Sequence, residues 1–127
     1  DTEAIETAVE SMVDGGTTGE WLASATTIAD DAYSAALDLS AYKNVRLMGK
    51  FSTSQSQGMG ILGSQTTGGT YYNLGAQEAL AQSTYAIGGS DIYFATANIT
   101  NAPNFIKLYN KSGASVNVEV DYIGYKN

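Results

Sequence analysis

The sequence predicts an all-β domain: an antiparallel β-sandwich, a jelly roll of about eight strands in preference to a barrel, preceded by one short N-terminal amphipathic helix. Three observations carry this. Apolar residues recur with a period near 3.6 up to Asp14 and near 2 from Glu20 onward. Clusters of Gly, Asn, Asp and Ser punctuate the second part at short intervals, each a turn signal. With 127 residues, fourteen Gly and one Pro, the chain suits one domain that can bury a core without disulfides or a metal.

Residues 2–14 carry the helical pattern. Ala4, Ile5, Ala8, Val9, Met12 and Val13 fall on one face, Thr2 or Asp1 can cap the start, and Glu3 and Glu6 sit at the positive end of the dipole. Gly15-Gly16 stop it. So short a helix is marginal alone in water, so the stripe of Ile5, Val9, Met12 and Val13 must pack on something. That something is its own domain, or copies of itself or a neighbouring subunit. The hinge-like Thr17-Thr18-Gly19 favours the second, which divides the chain into a tether, residues 1–16, and a sandwich domain, residues 17–127. Trp21, just past the hinge, joins the helix as a docking candidate.

The strands follow in order. Trp21–Thr27 opens the series, and Tyr33, Ala35, Leu37 and Leu39 alternate with smaller or polar residues. In Asn44–Ser52, Val45, Leu47, Gly49 and Phe51 form one face and Arg46, Met48 and Lys50 the other. Short strands are expected at Gly60–Ser64, Thr70–Leu74, Thr84–Ile87, Asp91–Ala97 and Phe105–Asn110; Gly75–Ser83 reads as a helical turn or a loop. Near the end, Val116, Val118, Val120 and Tyr122 share a face, with Asn117, Glu119 and Asp121 opposite, as in a half-buried antiparallel strand.

Chemistry is narrowed by absence. Without His or Cys the chain has no imidazole base, thiolate or imidazole metal site, and no Ser-Lys arrangement stands in for them, so it reads as non-enzymatic and free of cofactors. Gly58-Met59-Gly60-Ile61-Leu62-Gly63 matches G-x-G-x-x-G, but no helix follows as nucleotide binding requires, and the glycines are better assigned to turns and close strand packing. Glu119 and Asp121 share a strand face and could pair as a hydrolase would need, although a solvated sheet face accounts for them better. Asp30-Asp31 could hold a loose calcium ion or simply form an acidic turn. Asn98-Ile99-Thr100 and Asn110-Lys111-Ser112 are formal glycosylation sequons.

The net charge of −7 is concentrated: nine of thirteen acids precede the first basic residue, Lys43. That argues against binding a phosphate backbone, which needs clustered cations, so no nucleic-acid partner is expected. No run approaches the roughly 18 apolar residues of a membrane helix, and no membrane partner is expected either. The aromatics are the binding candidates, with nine Tyr and one Trp. Tyr71-Tyr72 and Tyr93-Phe94 place one ring on each face of their strands, so one of each pair should meet solvent or an interface.

Two stretches, "LDLSAYKNVRLMGKFST" with the later "GTYYNLG", and the closing "NFIKLYNKSGASVNVEVDYIGYKN", resemble the small β-sandwich virion proteins of tailed bacteriophages. A strand of the type Y-x-x-[VIL]-[KR]-L and a closing N-x-S-G-A-x-V-x-V hairpin carry the resemblance over residues 33–74 and 104–127. It implies a structural component of a head decoration, head fibre or tail fibre, located on the virion and partnered by capsid or fibre proteins. A homo-oligomer is then expected, a trimer by analogy with three-fold capsid sites. The alternative is a carbohydrate-binding module for surface glycans, using Tyr71, Tyr72, Tyr93 or Trp21 as platforms.

Overall fold

The computed structural model describes residues 15–74 and 79–127. The helix expected over 2–14, with Ile5, Val9, Met12 and Val13, lies outside these residues. The described residues form ten strands: β1 Thr17–Ile28, β2 Ala32–Tyr33, β3 Leu37–Asp38, β4 Asn44–Phe51, β5 Met59–Ser64, β6 Tyr72–Asn73, β7 Ala79–Ile87, β8 Ser90–Ile99, β9 Phe105–Asn110 and β10 Val116–Tyr125. Every pairing is antiparallel.

The pairs nest. β1 lies against β10, β2 and β3 against β9, β4 against β8, and β5 against β7, as if one long hairpin had been rolled up. The resulting order is β1-β10-β4-β8-β7-β5-β9-β2, with β3 also on β9 and β6 on β5. β7 pairs with β5 through Ala79 and Leu80 and with β8 from Ala81 onward, so it carries the sheet round the corner. The result is one rolled, nearly closed, barrel-like sheet. At the seam, Trp21 on β1 donates its Nε1–H to the carbonyl of Ala35, between β2 and β3, at 3.1 Å.

Inside the roll the inward faces make one core. Val45, Leu47, Phe51, Val116, Val118 and Val120 meet Met59, Ile61, Leu80, Ile106 and Leu108. The faces expected of β4 and β10 are those observed, because strict alternation with one buried side leaves no other register.

The stretch expected as one alternating strand from Tyr33 to Leu39 is broken into β2 and β3. Ser34 is buried, and its Oγ accepts the Leu108 N–H at 2.9 Å while its own N–H donates to the Leu108 carbonyl at 2.8 Å. A side chain thus replaces a backbone acceptor, and the pleat changes phase. Tyr33 faces out, whereas Leu37 and Leu39 face in. Ala79–Ser83, read as a turn or loop, is the first part of β7.

Candidate functional site

Two surfaces stand apart from the core. The first is the outward side of β9 and its neighbours. β9 buries Ile106, Leu108 and Asn110 and turns Phe105, Lys107 and Tyr109 outward. Tyr33 on β2 pairs directly with Tyr109, and their rings lie 4.8 Å apart, tilted by 39°. The Lys107 ammonium sits 4.4 Å from the Tyr71 ring centroid and 5.9 Å from that of Tyr33, a cation held by two π faces. The Tyr71 hydroxyl donates to the Thr67 carbonyl at 3.0 Å, which anchors that ring. Tyr109 donates its hydroxyl to Asp31, whose backbone is left-handed at φ 59°. That bond, helped by desolvation and the negative charge of Asp31, pushes the Tyr109 phenol up to about 12. Beside Tyr109, Gly60, Gln57, Lys111 and Ser112 line a groove of about 350 Å³.

The second surface is the β7–β8 hairpin. Gly88-Gly89 turn it with φ of 61° and 84°, the two positive values a type I′ turn needs, and Ile87 pairs with Ser90. From Ser83 to Asp91 every residue is exposed, so the hairpin projects from the body. Its side continuous with the outside of β4 carries Tyr85, Ile87, Ile92 and Phe94, of which Tyr85 is 64% and Ile87 50% exposed. Beyond Leu80 no described strand pairs with the other edge of β7.

The residues singled out in the sequence are dispersed. Tyr71 belongs to the Lys107 cluster. Tyr72 is exposed beside Leu74 and Pro103. Tyr93 is half-buried against the core, and its neighbour Phe94 is the solvent-facing member of the pair. Trp21 also packs on the core, with its N–H bonded at the seam. Tyr33, Tyr109 and Lys107 were not singled out, because only strand register across distant segments joins them. The alternation of Phe105–Asn110 was the available signal.

Asp30 accepts the Gly113 N–H at 2.9 Å and Asp31 the Tyr109 hydroxyl, so both carboxylates serve the turn. Glu119 pairs with Lys50 at 3.2 Å on the open outer face. Asn110 is wholly buried, which removes one sequon from solvent, while Asn98 is exposed. No protein-family model and no curated protein sequence matches the chain.

Proposed function

We propose that this chain is a non-enzymatic structural module of a tailed-phage particle, a jelly roll displayed on capsid or fibre as a closed homo-oligomer. The nested strand pairing supports the jelly roll, an architecture that viral capsid and lectin domains use. The observation that carries the assembly reading is the free edge of β7.

Proteins normally guard such edges. β1 is interrupted by two register shifts and an Ala25 at φ 65°, β2, β3 and β6 are two residues long, and Asp31 and Asp38 flank or occupy the short strands. β7 has none of these defences. Its sequence, ALAQSTYAI, holds no charge and no proline, and it presents an apolar side as well as an unpaired edge. Such a strand is suited to pairing or packing in an assembly. The resemblance to phage virion proteins supplies the setting and favours three-fold order.

Light scattering of the full chain tests this, beside Ile87→Lys and a chain beginning at Thr17. The expected result is an oligomer whose mass falls in Ile87→Lys. A further fall on truncation would assign residues 1–16 to assembly as well. A monomer at every concentration, with no binding to phage particles, overturns the reading.

A further inference from the structure

Glycine inside a strand weakens it, so each such glycine needs a reason. Among the described residues there are five: Gly19, Gly49, Gly60, Gly63 and Gly124. Four have packing reasons. A Cβ on Gly49 would collide with the Glu119 carbonyl, one on Gly63 would lie 2.5 Å from Pro103, one on Gly124 would lie 2.5 Å from the Tyr42 ring, and one on Gly19 would enter the Tyr122 ring. Gly60 has none: a Cβ there would meet only Leu62 Cδ1, at 3.9 Å.

The contrast with Gly19 is informative, because both glycines sit directly opposite a tyrosine. Tyr122 lies over Gly19 and covers its exposed backbone. Tyr109, opposite Gly60, does not. Its ring is drawn the other way, by the bond to Asp31 and the contact with Tyr33. The bare strand at Gly60 and the ring of Tyr109 therefore border an open groove, at the small end of the range for small-molecule sites.

We propose that this groove is a saccharide site, with the Tyr109 ring as its stacking wall and Gly60 as the floor that admits a pyranose. The lining decides the ligand class. An aromatic ring offers a face to sugar C–H groups, while Gln57, Ser56, Ser112 and the Lys111 ammonium offer hydrogen-bonding groups to hydroxyls. No carboxylate lines the groove, although the chain carries a net charge of −7, so a cationic ligand is disfavoured. The site has its own test: its ring and floor lie on β9 and β5, beside the start of β7, whereas Ile87 lies at the far end of that strand, next to the Gly88-Gly89 turn.

The test is an array of neutral, amino- and uronic-acid oligosaccharides probed with the full chain, followed by calorimetry on the best-bound sugar. Gly60→Val is the decisive variant. A Cβ there meets only Leu62 Cδ1 at 3.9 Å and valine suits a strand, so the variant should melt no lower than the parent chain while raising the floor of the groove beside the Tyr109 ring. Binding should weaken about tenfold or more in Gly60→Val, which raises the floor, and in Tyr109→Ala, which removes the ring. Failure of the parent chain to bind any sugar overturns the proposal. So does binding that survives Gly60→Val, or that is lost instead in Tyr72→Ala. None of these outcomes depends on the oligomer mass, so the two readings fail separately.

Discussion

Asn110 shows how much one side chain can organise. Its Nδ2 donates to the carbonyls of Ile28 and Ala114, both at 2.8 Å, and its Oδ1 accepts the Ser112 N–H at 3.0 Å. It therefore ties the end of β1 to the turn between β9 and β10, with no exposure to water. Asn110→Ala takes this donor from the buried Ile28 carbonyl, while the Ala114 carbonyl keeps the Ser112 hydroxyl at 3.0 Å and the Ser112 N–H lies near solvent, and should lower stability by about 1–3 kcal/mol in denaturant melts. Tyr109 makes a subtler contribution. Its phenol stays protonated up to about 12 in the fold, against an ordinary value of 10. The folded state thus holds this proton more tightly, so the stabilisation is complete below the ordinary value and is lost as pH rises through the folded one. A phenolate absorbance titration should show Tyr109 ionising late, as Tyr122 also does because burial pushes its phenol up, and Asp31→Ala should bring down Tyr109 alone and lower the pH of alkaline unfolding.

At the scale of elements, β4, β9 and β10 were legible because each buries one face and alternates without interruption. β2, β3 and the start of β7 were not. Ser34 changes the phase of the first pair by supplying a side-chain acceptor, and Ala79–Ser83 is held by tertiary contacts that leave no pattern in sequence. In β7, Leu80 enters the core, while the Gln82 side chain accepts the Gln55 N–H and donates to Ser54 Oγ at 3.3 Å. The aromatic surface was legible only through Tyr71, since the Tyr33–Tyr109 contact depends on the register of β2 on β9. The Gly88-Gly89 turn, by contrast, was plain in the sequence, and its cost can be isolated. A Cβ on Gly89 meets nothing within 4 Å, so only its φ of 84° opposes a side chain. Gly89→Ala should cost about 1–2 kcal/mol. Hydrogen exchange should show the loss in residues 84–93, with little change in β4 or β10.

For the whole molecule, nesting orders the contacts by distance along the chain. The β7–β8 hairpin closes over two residues, whereas the outermost pair joins Thr17 to Gly124. Loop closure is cheapest at the centre, and each pair formed there shortens the loop that the next must close. The roll should therefore assemble from β5, β7 and β8 outward, and refold in milliseconds to seconds, as non-local β topologies do. Leu80, at the inner junction, and Leu22, on the last strand to dock, are both core residues. Replacing either with Ala should cost about 2–5 kcal/mol. Stopped-flow chevrons should separate them: Leu80→Ala mainly slows folding, and Leu22→Ala mainly speeds unfolding. Equal slowing of folding by the two would mean that β1 is already paired in the transition state. In that case closure of the roll, rather than growth from its centre, limits the rate.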